Sequence, residues 1–110
     1  MFYRCTYYVK RYIIRTSQMI KSFRSKDTER LHQRERVLRF RPFERVAQRK
    51  LRQLDSVVIL ADIASPPGNR LAALRGERFG QHSIRINDQW RICFRWRDGN
   101  AYEVEIVDYH

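Results

Sequence analysis

Two arginines, Arg85 and Arg91, are the first residues whose spacing suggests chemistry. They flank Asn87-Asp88-Gln89, a polar turn between two runs, residues 83–86 and 90–96, that alternate apolar with other side chains. Such alternation marks antiparallel strands joined by a hairpin. Pairing Ile86 with Trp90 and Ile84 with Ile92 sets Arg85 directly across from Arg91. Like charges so opposed destabilise a sheet. Two readings stand: an anion between or above the guanidiniums, or arginine stems laid along the sheet with solvated heads. The chain ends in Asp108-Tyr109-His110, three side chains able to bind or move protons. Tyr109 has the parity of Val107 and Arg91 and can reach the arginine face. His110 is the strongest acid–base candidate by intrinsic pKa, set against the plainer reading of a frayed terminal residue.

These residues need a sheet to hold them. A third alternating run, residues 102–107, follows Asp98-Gly99-Asn100, so residues 81–110 read as a three-stranded meander. If Trp90, Ile92, Phe94 and Trp96 share a core with Tyr102, Val104 and Ile106, then Trp96 opposes Tyr102, Phe94 opposes Val104 and Arg95 opposes Glu103. That register leaves a three-residue loop, Asp98-Gly99-Asn100.

The chain has 110 residues, enough for one small domain with a single core. Its net charge is +11, and of 23 basic residues 19 are Arg and 4 are Lys. The guanidinium forks onto phosphate as an ammonium cannot, so the bias favours phosphate recognition. A basic field also draws nucleic acid, anionic lipid or an acidic partner. No uninterrupted apolar span is present, so a membrane is not expected as a partner. Cys5 and Cys93 are too few for a disulfide scaffold, and Cys93 reads as a small strand residue. A reducing cytoplasm follows. No Cys/His cluster, Walker motif or dinucleotide fingerprint occurs, so no metal or cofactor is expected.

Residues 1–18 hold four basic residues and no acid, and lack the apolar core of a secretory signal. They read as a poorly ordered extension or the product of an upstream start, with the domain proper at 19–110. Without them 19 basic and 12 acidic residues leave +7. Residues 20–23 suggest a short strand. Ser25 or Asp27 then caps a charged helix running to about Arg36. Pro42 suits a helix start. From Phe43 the apolar spacing (Val46, Ala47, Leu51, Leu54, Val57, Val58) predicts an amphipathic helix, with Arg45, Arg49, Lys50 and Arg52 on a solvated face. Residues 57–63 continue as a helical turn. Ser65-Pro66-Pro67-Gly68-Asn69 breaks the chain, residues 71–74 suggest a strand, and residues 75–80 form a glycine-bracketed turn. The fold class is α+β: a short N-terminal strand, two helices, then an antiparallel meander of three to four strands.

The runs PPGNRL (66–71), Leu74-Arg75-Gly76, SIRINDQWRICF (83–94) and VEIVDYH (104–110), with Met19-Ile20-Lys21-Ser22-Phe23 as the start, resemble the HigB-type (HigB/GraT-like) toxins of the RelE/ParE superfamily. The resemblance covers residues 19–110. It implies the small RelE-like fold and a ribosome-dependent endoribonuclease that cuts mRNA in the decoding site. It also implies a HigA-type helix-turn-helix antitoxin, with operator DNA bound through the antitoxin complex.

Cleavage of this kind requires the 2′-hydroxyl to attack the neighbouring phosphorus. Arginines stabilise the added charge, a role that fits Arg91 and Arg85. Arg75 matches a basic site position of the family. Tyr109 is placed to stack on a base or handle a proton, and Asp108 and His110 complete the catalytic set. Arg70, Arg95 and Asn87 join Arg85 as RNA- or phosphate-binding residues. Some family members carry a His shortly before the Leu-[Lys/Arg]-Gly motif; here that position is Ala72. His82, on the apolar parity, reads as structural, and His32 has no assigned role. Two other classes stand beside the enzyme: a non-cleaving basic RNA- or ribosome-binding toxin that impairs ribosome function or biogenesis, and a gyrase-directed toxin, which the Arg91, Tyr109 and His110 set disfavours.

Overall fold

The computed structural model describes residues 18–109. The extension expected at 1–18 (Gln18 apart) and His110 lie outside the described residues. The first helix, α1 (Lys26–His32), starts where the sequence signals it: the Ser25 hydroxyl accepts the Thr28 amide at 3.2 Å, with Asp27 and Glu29 in the first turn. It stops earlier than expected. Arg34 adopts φ 72° and its amide returns to the Leu31 carbonyl, closing the helix without a glycine.

Pro42 falls in a 3-10 turn, Leu38–Phe43, and α2 (Glu44–Leu54) begins after it. Ala47, Leu51 and Leu54 form the buried stripe of α2, while Arg45, Arg49 and Arg52 are exposed. Lys50 departs from the expected solvated face. It is buried, and its ammonium donates to the Arg85 carbonyl at 2.6 Å. A 3-10 turn at Leu60–Ala64 and another at Pro67–Asn69 lead to the sheet.

Four strands follow: β1 (Ala72–Ala73), β2 (His82–Arg85), β3 (Trp90–Arg97) and β4 (Asn100–Asp108). They form an antiparallel sheet in the order β1-β2-β3-β4. Ile84 pairs with Ile92, and Arg85 with Arg91, as the alternation required. The expected strand over 20–23 is reduced to two parallel bridges, Ile20 to Ala101 and Phe23 to Val104.

The β3–β4 hairpin differs from the expected register in its outer half. Arg97 pairs with Asn100, so the loop is Asp98-Gly99 alone, at φ 53° and 79°. Two successive left-handed residues are the two-residue turn that matches strand twist. The ladder then shifts by one between Cys93 and Arg95, with Glu103 at φ 54° as the extra residue. Near the turn Trp96 therefore opposes Ala101, and Arg95 opposes Tyr102. Ala101, not Tyr102, enters the core. Tyr102 turns away, with the Arg97 guanidinium 4.4 Å from its ring centre.

Ile84, Ile92, Phe94, Val104 and Ile106 meet Leu31, Phe40, Leu51 and Leu54 of the helical layer in one core. Phe40 and Phe43 close its end against Trp90, at 5.8 and 5.0 Å between ring centres. Thr28 stitches α1 to β4: its buried hydroxyl accepts the Ile106 amide at 2.9 Å. Thr28→Val keeps the shape and leaves that buried N–H unpaired. Urea unfolding should show a loss of about 1–3 kcal/mol; an unchanged midpoint would refute the bond's contribution.

Candidate functional site

The face of the sheet away from the helices carries a cleft of about 690 Å³. Arg70, Arg75, Arg78 and Arg91 line it with Tyr109 and Glu77, and Ala72 and Ala73 of β1 form part of its wall. Each arginine arrives by a different device. Arg70 follows the Pro67–Asn69 turn at φ 47°. The preceding Asn69 is fully buried, and its side-chain amide donates to the Ile63 carbonyl at 2.9 Å and to Gln53 Oε1 at 3.2 Å. That anchor fixes where Arg70 leaves the loop. Arg75 precedes Gly76, whose φ of 64° turns the chain sharply. Arg78 donates to Gln81 Oε1 at 3.0 Å and pairs with Glu105 at 3.6 Å.

Arg91 stands on β3 with its guanidinium 5.1 Å from the Tyr109 ring centre. It donates to the Asn87 carbonyl at 2.8 Å. Arg85, though directly across the ladder, is drawn off to a close ion pair with Asp88 and is not part of the cleft wall. The opposed arginines thus each have an acceptor supplied by their own loop. The Arg85 hydrogen bond, then its charge, hold the Asp88 carboxyl below its ordinary value, and Arg70 and Arg91 act in the same direction.

The side-chain oxygen of Asn87 accepts the Gln89 and Trp90 amides at 2.9 and 2.8 Å, so it shapes the turn. Gln89 ties down the end of β4: its carbonyl accepts the Tyr109 amide at 2.6 Å, and its side chain donates to Asp108 at 3.0 Å. Arg95 lies elsewhere, paired with Glu103 at 3.4 Å. Arg70, Arg75, Arg91 and Tyr109 therefore come together, Asp108 stands beside them in the chain, and Arg85, Arg95 and Asn87 are engaged outside the cleft wall. His110 is outside the described residues.

Three residues of this region escaped the sequence reading. Arg78 and Glu77 sit in a segment read only as a turn, although its Arg-Gly-Glu-Arg composition was a usable signal. Lys50 carried none, because a lysine at that helix position looks solvated. Among the described residues no group of three His, Cys, Asp or Glu is placed to hold a metal ion. No helix among them is long and apolar enough to cross a membrane. What the cleft offers an anion is a set of guanidinium donors. Arg70 and Arg75 make no ion pair with the described residues, and Arg91, oriented by the Asn87 carbonyl, makes none with them either.

The family model for the RelE-like toxin of the type II toxin–antitoxin system HigB matches residues 21–110. The chain is 38% identical over 85 residues to Toxin HigB-1 of Vibrio cholerae, covering 76% of this chain and 90% of that relative. It is 42% identical over 41 residues to Endoribonuclease HigB of Proteus vulgaris, covering 37% of this chain and 45% of that one.

Burial, then the charges of Arg49 and Arg85, push the Lys50 ammonium below its ordinary pKa of 10.5. A depressed lysine binds protons more weakly folded than unfolded, so stability rises with pH as the folded form releases its proton before the unfolded one. Compared with Lys50→Met, the wild-type chain should gain stability as pH climbs toward 10.5. Paired denaturation curves across the alkaline range check this, and parallel pH profiles would refute it.

Proposed function

Because this chain belongs to the HigB-like toxin family of the RelE/ParE superfamily and is a type II toxin, we propose that it is a ribosome-dependent mRNA endoribonuclease. The observation that carries this reading is the cleft itself. It holds Arg91 over Tyr109, with Arg70 and Arg75 free of ion pairs to the described residues. A scissile phosphate seated there gains two or three guanidinium donors. As the 2′-oxygen attacks, the phosphorus takes on further negative charge, and Arg75 and Arg91 stabilise it. Fixed donors act strongly here because Arg91 is already oriented by Tyr109 and Asn87 and need not reorganise. Tyr109, at 44% exposure, offers a ring for a neighbouring base and a hydroxyl for proton traffic. His110 supplies one of the two proton transfers, and Asp108 orients the chain end. The chain's net charge of +11 suits a ribosomal setting rich in phosphate.

The partner that restrains this toxin is a HigA-type helix-turn-helix antitoxin, through which the complex reaches operator DNA. The working compartment is the cytoplasm. A competing reading is a basic toxin that binds the ribosome or its RNA without cutting and impairs its function or biogenesis. Ala72 favours it, because some relatives carry a histidine there.

Primer extension on translated mRNA separates the two: discrete breaks for the nuclease, none for the binder. Arg91→Ala should lower cleavage about 10²–10³-fold, the usual cost of removing one transition-state donor. It should also relieve growth arrest in cells lacking the antitoxin, as should deletion of His110. If both variants remain fully toxic, the site is misassigned.

A further inference from the structure

Transfer of the 2′-hydroxyl proton needs an acceptor inside the cleft, and the described residues narrow the choice. The arginines there offer donors and no acceptor. The Tyr109 ring already lies beneath Arg91. Ser83 is buried at 3% exposure and is no base. The histidines among the described residues are committed elsewhere. His32 pairs with Asp55 at 3.6 Å, and His82 stacks on Phe94 with ring centres 6.1 Å apart. Neither lines the cleft, nor does Asp108, whose carboxylate accepts the Gln89 side chain at 3.0 Å.

Glu77 remains. It is exposed, lines the cleft, and makes no ion pair with the described residues despite the arginines around it. A carboxylate repels the phosphate these arginines attract, so it weakens ground-state binding. Its plainer role is a surface acid in a turn. Against that stands its placement: Gly76, at φ 64°, turns the chain so that Arg75 and Glu77 line the same cleft.

We propose that Glu77 is the general base of this chain. The proposal rests on the nuclease reading above. In the step, a Glu77 carboxylate oxygen takes the 2′-hydroxyl proton and the 2′-oxygen forms a bond to phosphorus. The bond from phosphorus to the 5′-oxygen breaks, and that oxygen takes a proton from water. The products are a 2′,3′-cyclic phosphate and a 5′-hydroxyl. Arg75 and Arg91 hold the phosphate throughout.

The test uses the full chain on ribosomes programmed with a defined mRNA, under single-turnover conditions. Glu77→Gln should cut about 10²–10⁴-fold more slowly. It should bind the same mRNA carrying a 2′-deoxy residue at the cleaved position as well as wild type, or more tightly. With its base gone, the residual rate should climb about tenfold per pH unit, as hydroxide takes over. Acetate should partly restore Glu77→Ala, a rescue that a merely structural role does not produce. Cleavage by Glu77→Gln at the wild-type rate overturns the proposal, as does parallel loss of 2′-deoxy mRNA binding. Absence of cleavage by the wild-type chain overturns the nuclease reading and this one together, which tells the two failures apart.

Discussion

Two arginines facing each other across adjacent strands are an electrostatic fault that the rest of the site resolves. Arg85 and Arg91 are ladder partners, and nothing in β2 or β3 neutralises them. The polar run Asn87-Asp88-Gln89 between those strands does. Asp88 takes Arg85, and the Asn87 carbonyl takes Arg91. Gln89 uses its backbone and side chain to hold the end of β4, which brings the Tyr109 ring under Arg91. One loop thus separates the two charges, aims one of them into the cleft and delivers the aromatic beneath it. Lys50 works from the other side of the sheet, holding the Arg85 carbonyl and so the end of β2.

The arrangement separates two kinds of basic surface. Arg45, Arg49 and Arg52 of α2 project into solvent. Their attraction for a polyanion is long-ranged and falls away with salt over a Debye length of about 8–10 Å. Of the four arginines of the cleft, Arg78 and Arg91 are held by specific partners, and all are forked for phosphate. The two basic surfaces therefore lie on different faces, and only the second includes a guanidinium oriented by the hairpin loop.

The register of β2 against β3 was legible because its apolar alternation runs unbroken on both sides of a polar turn. The outer half of β3 and β4 was not. Its correct pairing depends on a bulge at Glu103, and an ordinary residue at φ 54° leaves no mark in the sequence as a glycine would. The early stop of α1 failed for the same reason at Arg34. Arg70, Arg75, Arg91 and Tyr109 were all visible as candidates, since each belongs to a recognisable run. That Arg70 and Arg75 join Arg91 while Arg85 does not is a three-dimensional fact, set by the Asn69 anchor and by Asp88. Lys50 shows the limit most plainly: helical period told its angle, and tertiary packing decided its burial.

The bulge at Glu103 has a consequence for how this sheet meets other chains. Ser22 fills the irregularity: its hydroxyl accepts the Glu103 amide at 2.9 Å, and its carbonyl accepts the Val104 amide at 3.1 Å. Lys21 and Arg24 donate their own amides to Ala101 and Val104. The outer margin of β4 is thereby occupied along its first half and kinked in the middle, so it offers no straight template for another strand. The opposite margin is β1, two residues long and forming part of the cleft wall. A chain seeking to extend this sheet by backbone pairing meets a blocked side and a stub, and at the stub it would have to enter the site itself.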